Sequence, residues 1–225
     1  MDVLDMTPTR LIVLRHGETA WNKEGRFQGH LDSPLTAAGE TQARALVERL
    51  KGCTLSALYC SDLGRARSTA AIIGSAIGHT PRVDARLRER HLGVLQGQLA
   101  TEAERVLPEA YHVFRQGGPD AVIPEGESTR QRFECAIACF EELAGRHAEE
   151  QFVVVTHGGV LSCLIRHVLG LPLDAPRRFS RLNGSWNIFL HEPKRGRWTL
   201  ETWGDVGHLG DGLTGRLHTG SGAAQ

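Results

Sequence analysis

The sequence predicts an α/β fold, a three-layer α/β/α sandwich whose central sheet is largely parallel. Apolar runs of strand length alternate with longer stretches in which apolar residues recur every three to four positions. Two of the runs, Leu11-Ile12-Val13-Leu14 and Phe152-Val153-Val154-Val155, are apolar at every position, as strands covered on both faces are. These two also end alike, in Arg15-His16-Gly17 and in Thr156-His157-Gly158-Gly159.

After the first strand, Thr36 can cap a helix with the stripe Ala43, Leu46, Val47 and Leu50, and Gly52 suits its end. Ala57 to Cys60 reads as a short strand, and a helix with Ala66, Ala70, Ile73 and Ile77 on one face closes at Gly78. A short extended piece is expected around Pro81 to Val83. From Arg86 to Glu127 the pattern breaks up: one helix is expected near Thr101 to Leu107, followed by Pro108, Gly117, Gly118, Pro119 and Pro124, and the stretch reads as an excursion from the scaffold. Ser128 and Gln131 have capping-box spacing ahead of the stripe Phe133, Ile137, Phe140 and Ala144. The second central strand and a helix carrying Leu161, Leu164, Ile165 and Val168 follow. Trp186 to His191 and Arg197 to Trp203 read as paired strands joined through Pro193 and Gly196. The reading is therefore one domain over residues 1–209, with the excursion at about 98–127 as a lid, and a flexible Gly-rich tail over 210–225.

Composition narrows the function. The 225 residues carry 26 Lys plus Arg and 26 Asp plus Glu, a net charge of zero, which excludes a surface built to wrap nucleic acid. No apolar run approaches the ~18 residues of a membrane span, and Asp2 and Asp5 stand where a signal peptide would carry basic residues, so the chain is expected to be cytoplasmic. The five cysteines are odd in number and form no Cys-x-x-Cys pair, so neither a disulfide framework nor a metal site is expected. Cys135 and Cys139 read as small core-facing residues of a helix.

In a parallel sheet with helices on both faces, ligands sit outside the carboxyl ends of the strands. If the two apolar strands are neighbours, His16 and His157 emerge together, with Arg15 beside them and the helix beginning at Gly158 directing backbone N–H groups inward. That combination suits a phosphate group.

Arg15-His16-Gly17-Glu18-Thr19, followed by Trp21-Asn22 and Phe27-Gln28-Gly29, resembles the signature of the histidine phosphatase superfamily, also called the phosphoglycerate mutase-like family. Ser61-Asp62-Leu63-Gly64-Arg65-Ala66 resembles its second arginine motif, Leu87-Arg88-Glu89 leading to Gly93 and Gly97 its acid/base segment, and Thr156-His157-Gly158-Gly159 its second histidine motif. The resemblance spans roughly residues 10–209. It implies a phosphohistidine at His16, a clamp of Arg15, Arg65 and His157, and Glu89 as proton donor, with no metal and no cofactor. It also implies that Asn22, Gln28, Gly29 and Gly158 touch the phosphate or the substrate. Arg67, Arg90, His91 and His208 lie in matching segments without an assigned role, and the remaining histidines read as ordinary. Members of that family often form homodimers.

The family holds phosphatases and mutases. Glu89-Arg90-His91-Leu92-Gly93 is similar to the mutases, but His157-Gly158-Gly159-Val160 departs from their His-Gly-Asn-Ser. Between Gly97 and Glu125 stand only Arg105 and Arg115, with no lysine, where mutases carry cations that hold a bisphosphorylated intermediate. The expectation is a phosphomonoesterase for a small phosphorylated metabolite whose leaving group need not be highly charged. The alternatives are a 2,3-bisphosphoglycerate-dependent phosphoglycerate mutase and, more distantly, a non-catalytic phospho-ligand binding protein.

Overall fold

Along β1 (Thr9–Arg15), Leu11 and Val13 face one side of the sheet and Ile12 and Leu14 the other, and all four are buried. The strand is thus the middle of three layers, as its unbroken apolar run requires. In the computed structural model, which describes residues 7–210, it is joined by β2 (Leu58–Cys60), β3 (Arg82–Val83), β4 (Gln151–Thr156), β5 (Trp186–Glu192) and β6 (Arg197–Asp205). The order is β3-β2-β4-β1-β5-β6. Pairings from β3 through to β1 are parallel, whereas β5 and β6 close one edge as antiparallel strands.

The helices are α1 (Ala20–Glu24), α2 (Ala37–Leu50), α3 (Gly64–Ile77), α4 (Ala103–Val106), α5 (Pro108–Gln116), α6 (Thr129–Arg146) and α7 (Gly158–Leu169). Leu46, Val47 and Leu50 of α2 and Ala66, Ala70 and Ile73 of α3 pack on the Ile12 and Leu14 face. Phe140 and Leu143 of α6 and Val160, Leu161 and Leu164 of α7 pack on the opposite face. Thr36 caps α2 through the Gly39 N–H, and Ser128 and Gln131 close both arms of the capping box on α6. All five cysteines are free; Cys139 is buried, while Cys135 is only half-buried.

The excursion departs most from expectation. The helix expected near Thr101 to Leu107 is α4, a single turn, and a second helix, α5, was not foreseen, because Pro108 begins it at the first helical position, where its missing N–H costs nothing. Ala103, Ala110, Ile123 and Leu95 cluster with Phe27 into a small core of their own. Helix α1, also unforeseen, is a single turn capped reciprocally by Thr19 and Asn22. Beyond Gly210, the Gly-rich tail lies outside the described residues. No described helix is long and apolar enough to cross a membrane.

Candidate active site

The β1–β4 register places Arg15 opposite Thr156, so the next residues along the parallel pair are His16 and His157. Their ring centroids are 5.2 Å apart. Gly17 follows His16 because the chain then passes backbone to backbone over the start of α2. A Cβ on Gly17 would stand 2.3 Å from the Gly39 carbonyl oxygen, and one on Gly39 would stand 2.0 Å from that of Glu18.

His16 lies at the floor of a cavity of about 680 Å³. Its Nδ1 is 2.8 Å from the Gly17 carbonyl oxygen, which can only accept, so the proton sits on Nδ1 and the Nε2 lone pair is left exposed. The backbone carbonyl of His16 is tied down by Asn183 Nδ2 at 3.1 Å and by the Gly184 N–H at 3.3 Å. Burial and the nearby Arg65 and Arg15 hold His16 well below the usual histidine range; for His157, burial is joined by Arg65, His16 and Arg15. Both imidazoles are therefore neutral in the unliganded protein.

The arginines are buried and only partly satisfied. Arg65 donates from Nη1 to Asp32 (2.8 Å) and the Leu31 carbonyl (2.9 Å), and from Nη2 to the Gly29 carbonyl (2.8 Å). Arg15 donates from Nη1 to the Arg181 carbonyl, and burial pulls its guanidinium down to about 10, still protonated near neutral pH. The Nε of each, and both ring nitrogens of His157, are buried without a partner. Orphaned buried donors are costly, and here they surround the His16 ring. An anion with several acceptor oxygens would satisfy the two arginine nitrogens together.

Glu89 lines the same cavity and is the sole carboxylate to do so among the described residues. Its Oε2 accepts from the Gly159 N–H at 2.9 Å and its Oε1 from the Arg90 N–H at 2.9 Å. The N-terminus of α7 is thus not simply open to a ligand, as the sequence suggested; Glu89 takes one of its N–H groups. Gly159 makes this possible, since a Cβ there would lie 1.9 Å from Glu89 Oε1.

Of the other expected residues, Asn22, Gln28 and Gly158 line the cavity. The Asn22 Oδ1 is occupied by Thr19 and Asn183, so its amide nitrogen is the end that faces a ligand; the Gln28 Oε1 is buried and unpartnered. Gly29 does not line it. Its carbonyl holds Arg65 instead. His157 is fully buried and is likewise absent from the cavity wall. Arg90 reaches the wall, held by Glu127 and Thr129. Arg67 is exposed, His91 meets His30 edge-on with ring centroids 4.6 Å apart, and His208 donates to the Gly184 carbonyl at 3.0 Å.

Sequence reasoning missed Arg132 and His30. Arg132 donates to the carbonyls of Arg86 (2.6 Å) and Arg88 (3.1 Å), and His30 Nε2 to that of Glu89 (2.8 Å), so both fix the segment that carries Glu89. The available signal was Arg132 itself, a charge on the buried stripe of α6 one turn before Ala136. The excursion supplies few cations, as its composition gives, but the cavity draws others from elsewhere. Arg115 reaches the cavity, and Arg166, Arg177 and Arg181 join it from α7 and the segment after it, which carried no strand or helix pattern.

The depressed histidines predict an acid sensitivity. Unfolded, His16 and His157 take up protons as the pH falls through 6.5; folded, they do so only well below it. The unfolded chain then binds more protons, so each histidine removes up to about 1.4 kcal/mol of stability per pH unit below that value. The thermal midpoint of the unliganded protein is expected to fall between pH 7.5 and pH 5.5, and to fall less in His157→Gln. An equal fall in both would show that His157 carries none of it.

Comparisons with known proteins give the family. The family model "Histidine phosphatase superfamily (branch 1)" matches residues 11–206. The chain is 40% identical over 226 residues to phosphoglycerate mutase-like protein 4 of Arabidopsis thaliana, covering 98% of this chain and 95% of that one. Among solved structures, it resembles a putative alpha-ribazole-5'-P phosphatase from Escherichia coli (TM-score 0.80, 28% identity, covering 88% of this chain and 97% of that one). It also resembles a mycobacterial glucosyl-3-phosphoglycerate phosphatase (TM-score 0.74, 33% identity, covering 87% and 98%).

Proposed function

The chain belongs to the histidine phosphatase superfamily, and from that premise we propose that it is a phosphomonoesterase acting on a small phosphorylated metabolite through a phosphohistidine at His16. The observation that carries the reading is the Nδ1 hydrogen bond to the Gly17 carbonyl, which aims the Nε2 lone pair of a neutral imidazole among unpartnered arginine nitrogens.

Nε2 of His16 attacks phosphorus as the ester P–O bond breaks. Arg15 and Arg65, through the Nε–H groups that lack a protein partner, neutralise charge on the transferring group, with His157 close by. Glu89, as the acid, gives its proton to the departing alkoxide. As carboxylate it then takes a proton from the water that attacks the phosphohistidine, releasing inorganic phosphate and restoring Nε2. Asn22, Gln28 and Gly158 contact the phosphoryl group or the substrate, and the excursion over 98–127 serves as a lid.

Hydrolysis is favoured over mutase chemistry by the likeness to solved phosphatases and by Gly159, which presents no side chain of its own beside Glu89. The mutase reading is kept by the arginines at the cavity mouth and by the name of the Arabidopsis relative. One assay separates them. With 3-phosphoglycerate and a trace of 2,3-bisphosphoglycerate, little isomerisation is expected, while at least one simple monoester releases phosphate in the presence of a chelator. Isomerisation much faster than the best phosphate release would promote the mutase. Loss of activity to the chelator would remove the metal-free mechanism from both.

A further inference from the structure

The cavity wall holds nine arginines and, among the described residues, one carboxylate. A phosphoryl group between Arg15, Arg65 and His16 accounts for part of that charge. Three further arginines of the same wall, Arg115 of α5, Arg166 of α7 and Arg177 of the following segment, come from three places in the chain. All three line the same cavity, and Arg177 is pulled below the usual arginine range first by burial and then by the charges of Arg115 and Arg166. Arg166 is fixed by donating to the carbonyls of Pro172 and Ala175, which hold its direction and leave its charge uncompensated. Like charges gathered on a concave wall raise the free energy of the empty site, and a bound anion removes that cost. Guanidinium groups also match the planar geometry of carboxylate and the tetrahedral geometry of phosphate better than they match a neutral hydroxyl. Leu92, Phe114, Leu173 and Pro176 add to the same wall an apolar surface suited to a carbon skeleton.

We propose that Arg115, Arg166 and Arg177 form a second anion subsite, so that the substrate is a phosphomonoester whose alcohol carries a carboxylate or a second phosphate. This rests on the phosphatase reading of the same cavity and narrows its substrate class. It also assigns the selecting charges to segments outside the motifs that carry the chemistry.

The test is a binding measurement, read separately from phosphate release. Calorimetric titration of the His16→Ala protein compares two matched pairs: 3-phosphoglycerate with glycerol 3-phosphate, and fructose 1,6-bisphosphate with fructose 6-phosphate. The first pair differs by a carboxylate and the second by a phosphate, which distinguishes the two anions. In at least one pair the doubly anionic member is expected to bind ten-fold more tightly or better. That preference should shrink to within two-fold when Arg115→Met and Arg177→Met are added; both side chains are exposed at the mouth, so the fold should tolerate the change. Equal binding within both pairs, a preference that survives the two substitutions, or no binding by any of the four ligands would overturn the proposal. Failure of the phosphatase reading shows differently: the wild-type enzyme would release no phosphate from any ester while the binding preference persisted.

Discussion

The His16→Ala enzyme is expected to lose turnover by ~10⁴-fold or more, as removal of a nucleophile typically does, and to lose acid-labile phosphate on the protein with it. The second histidine is the rival for this role, since both rings are buried and within 5.2 Å of each other. The surroundings decide between them. His16 has its tautomer fixed by the Gly17 carbonyl, its backbone carbonyl held by Asn183 and Gly184, and its ring on the cavity wall. His157 has no partner on either nitrogen and is absent from that wall. A ring with neither nitrogen anchored in the resting protein suits a donor that responds to an arriving anion better than it suits a nucleophile held in line. Rapid-quench labelling with a phosphorylated substrate checks this. A full burst of label in His16→Ala, or a label mapped to His157, would reverse the assignment.

Much of this site was legible because its parts sit at the ends of strongly patterned elements. Two unbroken apolar strands fix the middle layer, and once they pair in parallel the residue after each must emerge at one edge, so His16 and His157 could be matched before any coordinates. Arg65 was visible through its motif, at the start of α3. What stayed hidden depends on contacts between segments far apart in sequence. Gly29 looked like a ligand contact and proves to hold Arg65 through a carbonyl, a function that any residue type can perform. Arg132 anchors the backbone 44 and 46 residues away. Arg166 lies on a helix where it reads as an ordinary basic residue of the last turn. Arg177 follows Pro176 in a stretch with no periodicity at all. Charge counted over one window, Gly97 to Glu125, therefore missed a cationic wall assembled mainly from another. The excursion was misread for a local reason, because Pro108 is as compatible with starting a helix as with stopping one.

The Glu89→Gln enzyme is expected to lose ~10²–10⁴-fold in turnover on esters of ordinary alcohols, and much less on p-nitrophenyl phosphate. The difference between the two losses carries the argument. An alkoxide leaving from phosphorus needs a proton in the transition state, whereas p-nitrophenolate departs with little help. A glutamine keeps an oxygen that can accept from the Gly159 N–H, now 2.9 Å from Glu89 Oε2, but it has no proton to deliver. The substitution therefore removes proton transfer while sparing at least part of the positioning. Glu127 is the nearest competitor. It is committed to the His91 N–H at 2.7 Å and does not line the cavity, so Glu127→Gln should not reproduce the leaving-group dependence. Equal losses on both kinds of substrate in Glu89→Gln would mean that its carboxylate serves to hold the start of α7 against the Arg90 backbone, and that the proton comes from elsewhere.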